Sequence, residues 1–134
     1  MYKNDTGRII VVDDHPIIGE VAQEVFRDAG FDDVLFFESP KKALDDVRTH
    51  RRPALVLTDY QMPELNGLEL LREIEVYHPV INAIIMTAEP KMLIDQPHRY
   101  PVLDKKDDFC EKLSGIAKEL IGKNNSATEQ SPMK

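Results

Sequence analysis

Short runs of apolar residues alternate along this chain with longer stretches in which apolar residues recur every three or four positions. The runs are residues 8–12, 33–37, 54–58, 81–87 and, more weakly, 100–103, and they are rich in branched and aromatic side chains. Continuous apolar runs of this length are typical of strands that are covered on both faces of a parallel sheet. The pattern therefore predicts five strands.

The stretches between the runs have helical spacing, and they predict helices at residues 16–29, 40–49, 66–77 and 107–121. Gly30 follows the first as a stop signal, and Ser39 and Pro40 open the second as a capping residue and a proline at the first helical position. Strands and helices that alternate in this way predict an α/β fold of three layers, with a parallel sheet between helices. Ligands of such folds bind at the carboxyl ends of the strands.

Polar residues of three kinds stand where the predicted strands end, and they should converge on one edge of the sheet. They are Asp13 and Asp14, Asp59, Thr87, and Lys105 with Lys106. Three crowded carboxylates repel one another, and a hard divalent cation such as Mg²⁺ relieves that repulsion. An aspartate beside such an ion can attack phosphorus to give an acyl phosphate, while the lysine and the hydroxyl hold the remaining oxygens.

Each of these residues also has an ordinary role. A lone aspartate at the end of a strand is usually a turn or cap residue, Thr87 alone is a strand residue, and Lys105 alone is a surface lysine. Their occurrence together at the ends of alternating strands favours a site.

Four segments carry this pattern: "IIVVDDHP", "LVLTDYQMPELNG", "IIMTA" and "VLDKK". They resemble the signature segments of the receiver domains of two-component response regulators, the CheY-like superfamily. The resemblance covers roughly residues 7–121 and implies a flavodoxin-like sheet of strand order 2-1-3-4-5. It also implies a signalling domain, not an enzyme, that takes a phosphoryl group from a histidine kinase or a phosphotransfer protein.

The resemblance assigns a role to each polar residue at the strand ends. Asp59 would be the phospho-acceptor, and Mg²⁺ (or Mn²⁺) would be held by Asp59, directly by Asp14, largely through water by Asp13, and by the backbone carbonyl of Gln61. Thr87 would be the switch hydroxyl and Lys105 the contact to the phosphoryl group.

The loop after Asp59 should serve the same site. We expect Pro63 and Gly67 to turn the Gln61 carbonyl toward the metal, with proline fixing φ and glycine permitting unusual backbone angles.

The sequence departs from the family between Thr87 and Lys105. This interval is shorter than usual and contains Pro90, Pro97 and Pro101, so we predict a fourth helix that is short, displaced or absent. That matters because this helix belongs to the output surface in relatives.

Two residues near the fifth strand also depart from the family. Val102 stands where the family has an aromatic switch residue, and Tyr100 lies two positions earlier. Lys106 replaces a common proline, which leaves Lys105 and Lys106 as competing phosphate contacts; the position of Leu103 favours Lys105.

Bulk properties narrow the function classes. A chain of 134 residues suits a single domain, and we divide it into a receiver domain, residues 1–122, and a disordered polar tail or start of a linker, residues 123–134. The net charge of −7 argues against direct nucleic-acid binding. A single cysteine, Cys110, suits a reducing cytoplasm, and no apolar run is long enough for a signal peptide or a membrane span.

Other roles remain open. The histidines (His15, His50, His78 and His98) are too dispersed in the sequence to suggest a metal site, and we expect them at the surface. His15 follows the two acids and lies near the pocket, but a role as phospho-donor is disfavoured. The leading function is a receiver that switches its affinity for an unknown protein partner, with possible homodimerisation. The alternatives are a docking domain that no longer accepts phosphate and, less favoured, an aspartyl-nucleophile phosphatase.

Overall fold

A parallel sheet forms the centre of the molecule. The computed structural model describes the backbone of residues 7–130 and the side chains up to residue 119. Within this range the strands are β1 (Ile9–Val12), β2 (Val34–Phe37), β3 (Leu55–Asp59), β4 (Ala83–Thr87) and β5 (Val102–Asp104). All four strand pairs are parallel, and the order is β2-β1-β3-β4-β5. The predicted order 2-1-3-4-5 is therefore confirmed.

The helices cover both faces of this sheet. Helices α1 (Pro16–Asp28) and α4 (Phe109–Gln130) pack on one face, and α2 (Pro40–Arg48) and α3 (Gly67–Tyr77) pack on the other. Alternate residues of each inner strand enter the two cores, so Ile9 and Val11 face α1 while Ile10 and Val12 face α2. This double coverage explains why the inner strands have continuous apolar sequences.

Side-chain caps fix where the two helices on the second face begin. The Ser39 hydroxyl accepts a hydrogen bond from the backbone N–H of Lys42. Asn66 and Glu69 form a capping box, in which each side chain accepts a hydrogen bond from the other residue's backbone N–H at 2.8 Å. The start of α3 is thus held firmly just after the loop that follows β3.

The connection from β4 to β5 contains only a 3₁₀ helix, Pro90–Leu93, within the described chain. The prediction of a short or irregular fourth helix is confirmed, because prolines interrupt the segment before an α-helix can propagate. Met92 and Ile94 are exposed at its surface, and so is Val102 on the edge strand β5.

Helix α4 extends further than the sequence suggested. Residues 123–130, which we expected to belong to a disordered tail, have a helical backbone, while residues 131–134 lie outside the described residues. These eight residues contain neither proline nor glycine, and adding residues to an existing helix requires no new nucleation. The helix also begins at Phe109 and not at residue 107, because Asp108 has a left-handed φ of 50°.

Candidate functional site

Asp59 is the last residue of β3 and lies at the carboxyl edge of the sheet. It pairs in register with Met86 of β4, and the next residue of β4, Thr87, pairs with Asp104 of β5. Asp13 directly follows the neighbouring strand β1. The three side chains of Asp13, Asp59 and Thr87 are almost fully buried. The sheet topology therefore gathers the predicted strand-end residues on one edge.

The loop after Asp59 folds back against the strand that it leaves. The Gly67 N–H donates to the Tyr60 carbonyl at 2.8 Å, and a β-carbon at Gly67 would lie 2.5 Å from the backbone carbonyl oxygen of Asp59. Gly67 has no left-handed φ; that conformation belongs to Glu64, with φ 76°. Our expectation of unusual angles at Gly67 is thus wrong, and the glycine is needed because the backbones of the loop and the strand approach closely.

Four side chains at this edge can share a cation. Asp13, Asp14, His15 and Asp59 each offer one ligand atom, and these atoms all lie within 4.8 Å of one another. Asp14 Oδ1 is buried and accepts no hydrogen bond from the described residues. Its ion-pair neighbour, His15 Nδ1 at 3.3 Å, is charged only when protonated, so this buried oxygen is poorly satisfied and a hard cation would satisfy it. The three carboxylates of this set therefore fit Mg²⁺.

Lys105 is the basic residue of the cluster. Its Nζ lies 2.7 Å from Asp13 Oδ2 and 3.0 Å from Asp59 Oδ1. The next lysine, Lys106, is exposed and points to Glu89, with an N–O distance of 3.7 Å. Of the two candidate lysines, the structure brings only Lys105 to Asp59.

The environment of Asp59 changes its acidity. Burial, together with the nearby charge of Asp13, raises the pKa of Asp59 from 3.8 to about 6, against the opposing attraction of Lys105. The negative charge on Asp59 is therefore unfavourable in the protein alone. A divalent cation would favour the ionised form, which is the nucleophilic one.

The Thr87 hydroxyl links this edge to the segment after β4. It accepts a hydrogen bond from the backbone N–H of Glu89 at 3.0 Å, and Glu89 caps the 3₁₀ helix. Gln61 is exposed in the loop after β3, and its carbonyl as a metal ligand remains a prediction.

His15 is a member of the cluster that the sequence reasoning placed near the pocket but did not count among the metal ligands. Its Nδ1 lies 3.1 Å from Asp13 Oδ1 and 3.3 Å from Asp14 Oδ1. Its position directly after the two acids placed it near the pocket, but the four histidines as a group were judged too dispersed for a metal site. The ring is 67% exposed, so it lies at the mouth of the pocket.

Tyr100 does not occupy the position of the family's aromatic switch residue. It precedes β5, is buried, and its hydroxyl donates a short hydrogen bond to Glu75 near the end of α3. This places Tyr100 at the amino end of the sheet, opposite Asp59. Val102, at the position that resembles the family's switch residue, is partly exposed.

The fold and the site together define a class: a doubly wound α/β protein with an acidic cation pocket and a lysine at the carboxyl edge of its sheet. The sequence profile of the response regulator receiver domain matches residues 9–96. This chain belongs to the response regulator receiver domain family. Receiver domains are signalling domains that act with histidine kinases or phosphotransfer proteins and generally use Mg²⁺.

Individual relatives agree with this assignment. The chain is 39% identical over 83 residues to sporulation initiation phosphotransferase F of Bacillus subtilis, covering 60% of this chain and 64% of the relative. It is 38% identical over 78 residues to the DNA-binding transcriptional regulator NtrC of Klebsiella pneumoniae, covering 58% of this chain and 16% of that protein. The match thus spans less than two thirds of either relative.

Solved structures with a similar fold include response regulator proteins. The response regulator protein TrrA of Thermotoga maritima, in complex with Mg²⁺-BeF, has a TM-score of 0.73 and 29% identity, covering 84% of this chain and 97% of that one. A response regulator receiver domain protein of Clostridium thermocellum has a TM-score of 0.72 and 25% identity, covering 88% and 96%. None of the helices in residues 7–130 has the length and apolar character of a membrane span.

Proposed function

We propose that this chain is a working phospho-acceptor: Asp59 takes a phosphoryl group from a histidine kinase or phosphotransfer protein, in a reaction that requires Mg²⁺ or Mn²⁺, and thereby switches partner binding. The observation that carries the proposal is the buried Asp59 carboxylate with two further acids and Lys105 beside it. The relative from Thermotoga maritima, solved in complex with Mg²⁺-BeF, supports the cation requirement.

In the proposed step an Asp59 oxygen attacks phosphorus and forms an acyl phosphate. The P–N bond to the donor imidazole breaks, and its electron pair stays on the imidazole nitrogen, which then takes up a proton. The bound cation supplies positive charge that lowers the repulsion between the carboxylates and the phosphoryl oxygens. Lys105 Nζ, 3.0 Å from Asp59 Oδ1, is placed to pair with a phosphoryl oxygen as its bond to the carboxylate is given up.

The two acids after β1 have unequal roles in this proposal. Asp13 Oδ1 accepts a hydrogen bond from the His15 backbone N–H at 2.8 Å, and Asp13 Oδ2 forms an ion pair with Lys105 at 2.7 Å, whereas the ion-pair partner of Asp14 Oδ1 is the His15 imidazole at 3.3 Å. Asp14 Oδ1 accepts no hydrogen bond within the described chain. This difference supports Asp14 as the direct ligand and Asp13 as a ligand through water.

Thr87 provides a route from phosphorylation to a partner. A hydroxyl has one proton to donate, so Thr87 can donate to a phosphoryl oxygen. Turning toward the phosphoryl group changes the bond that it accepts from the Glu89 N–H. Glu89 begins the 3₁₀ segment, whose exposed side chains Met92 and Ile94 would change position with it. The net charge of −7 favours a protein over a nucleic acid as the direct partner.

The proposal is tested by intact mass after incubation with Mg²⁺ and acetyl phosphate. We expect the mass of one phosphoryl group on the wild type, none with Asp59→Ala, and none when Mg²⁺ is chelated. Lys105→Met should lose most of the uptake, whereas the matched variant Lys106→Met should keep it, because only Lys105 reaches Asp59.

Two results would overturn the proposal. Uptake that persists in Asp59→Ala would place the phosphoryl group elsewhere. Absence of uptake in a wild type that binds Mg²⁺ would favour the docking domain that no longer accepts phosphate. Turnover of small phosphate esters by the wild type would instead favour the phosphatase.

A further inference from the structure

The His15 ring is held against the acidic cluster by the local backbone. The His15 N–H donates to Asp13 Oδ1 at 2.8 Å, and the residue occupies the N-cap position of helix α1 without a capping side-chain bond, with Pro16 at the first helical position. Proline restricts the conformation of the residue before it, so His15 has a fixed extended backbone, with φ −104° and ψ 107°. The backbone therefore holds the start of the His15 side chain beside the carboxylates, and its Nδ1 lies within 3.3 Å of both Asp13 and Asp14.

The spacing of the atoms suits ligands of one ion. His15 Nδ1 lies 3.1 Å from Asp13 Oδ1 and 3.3 Å from Asp14 Oδ1. Ligands that bind a cation at about 2.1 Å lie about 3.0 Å apart in adjacent octahedral positions and about 3.4 Å apart in tetrahedral ones. The 3.3 Å between His15 Nδ1 and Asp14 Oδ1, the proposed direct ligand, falls between these values. The 3.1 Å to Asp13 Oδ1 also suits a hydrogen bond and does not bear on the spacing of direct ligands. Asp14 Oδ1, which accepts no hydrogen bond within the described chain, is one of the oxygens facing this nitrogen.

We propose that His15 is a fourth side-chain ligand of the cation pocket and that it makes the site prefer a divalent transition metal, such as Mn²⁺ or Co²⁺, over Mg²⁺. Mg²⁺ takes oxygen ligands, while imidazole nitrogen suits first-row transition metals. The inference rests on the proposed function in that it uses the same carboxylates, but it concerns which ion they hold and not the phosphoryl step.

A competing role for His15 makes the opposite prediction. As a counter-charge, the imidazole would donate to the two acids in place of a cation, and a metal would have to displace it. Removing the ring would then tighten the binding of every divalent cation. Removing a ligand would instead weaken the binding of transition metals and leave Mg²⁺ nearly unchanged. Cation affinities therefore separate the two roles.

The test compares the wild type with His15→Asn and with the matched variant His50→Asn, since His50 is also exposed and lies after α2, away from the cluster. Bound Mn²⁺ is measured from the paramagnetic resonance signal of the free ion, and Mg²⁺ by competition. We expect His15→Asn to lose Mn²⁺ affinity by roughly tenfold or more, with a change for Mg²⁺ of less than about threefold. His50→Asn should match the wild type.

Pulsed paramagnetic resonance of the Mn²⁺-loaded protein gives a direct readout. Coupling of Mn²⁺ to an imidazole nitrogen should be present in the wild type and in His50→Asn, and absent in His15→Asn. The proposal is overturned if the wild type shows no such coupling, if it binds no divalent cation, or if His15→Asn binds all cations as tightly as the wild type or more tightly.

Failure of this inference can be told apart from failure of the phospho-acceptor proposal. Phosphoryl uptake is measured with Mg²⁺ alone, which does not depend on His15 as a ligand. Uptake with Mg²⁺ but no nitrogen coupling would remove only the His15 inference. Nitrogen coupling in a protein that takes up no phosphoryl group would keep His15 as a ligand and remove the phospho-acceptor.

Discussion

Replacing Asp59 by Asn removes one of three crowded carboxylates, and we expect the variant to be more stable than the wild type near neutral pH in the absence of divalent cations. The pKa of Asp59 is raised from 3.8 to about 6 in the folded protein. The folded state therefore binds this proton more tightly than the unfolded state does. The contribution of Asp59 to the free energy of unfolding is complete below pH 3.8, falls as the pH rises to about 6, and is constant above that.

The size of the effect follows from the shift. A rise of about two pKa units corresponds to about 3 kcal/mol in the free energy of unfolding at neutral pH. Water reaches the partly exposed Asp14 beside Asp59 and screens the repulsion, so we expect about 1–2 kcal/mol of added stability. The variant also loses the attraction between Asp59 and Lys105. This attraction lowers the pKa of Asp59 and is therefore already included in the net rise from 3.8 to about 6.

Urea unfolding followed by circular dichroism measures this difference in the presence of a chelator, at about pH 4 and near neutral pH. The stabilisation should be present near neutral pH and nearly absent at the lower pH. Asp32→Asn, at an exposed aspartate, is the control for loss of a surface charge. A difference that does not depend on pH, or a variant less stable than the wild type near neutral pH, would refute the reasoning. Added Mg²⁺ should stabilise the wild type more than Asp59→Asn.

Three more substitutions test the geometry by urea unfolding and by phosphoryl uptake. Gly67→Ala places a methyl carbon 2.5 Å from the backbone carbonyl oxygen of Asp59 in β3. We therefore expect the free energy of unfolding to fall by about 1–3 kcal/mol and phosphoryl uptake to slow. Unchanged stability would mean that the loop can move away from the strand. Tyr100→Phe removes the hydrogen bond to Glu75. We expect the free energy of unfolding to fall by about 1–2 kcal/mol and phosphoryl uptake to stay unchanged. Impaired uptake would show that Tyr100 is coupled to Asp59, which its position in the structure does not predict. Asp46→Ala removes a carboxylate that pairs with the buried Arg8, which keeps its ion pair to Asp33 at 3.8 Å. We expect the free energy of unfolding to fall by about 2 kcal/mol; an unchanged value would mean that the Arg8–Asp46 pair does not stabilise the fold.

The strand-end chemistry was predictable because it depends on topology. Once parallel strands are inferred from continuous apolar runs, their carboxyl ends must share an edge, and Asp13, Asp59 and Thr87 follow. The missing fourth helix was predictable for a similar reason, since proline acts locally. Features that depend on contacts between distant segments of the chain were harder to predict from the sequence.

Gly67 and the end of α4 illustrate this limit. The need for glycine at Gly67 arises from its contact with the backbone of Asp59, and a sequence does not distinguish close approach from an unusual φ. Residues 123–130 have no apolar periodicity, which predicted disorder, yet their backbone continues the helix begun by the packed turns before them. His15 was placed near the pocket by its position after the two acids, but only a role as phospho-donor was considered for it, because the four histidines together were too dispersed to suggest a metal site.

The departures at Tyr100 and Val102 bear on how a signal would leave the site. Tyr100 is anchored to α3 at the far end of the sheet, so it cannot follow the Thr87 hydroxyl. The connection that remains is the 3.0 Å bond from the Glu89 N–H to Thr87, which leads directly into the 3₁₀ segment. A short segment with few internal hydrogen bonds reorders at low free-energy cost. Under the proposed function, the absence of an α-helix between β4 and β5 changes the part of the output surface that this helix forms in relatives, and we expect the 3₁₀ segment in its place to respond to Thr87.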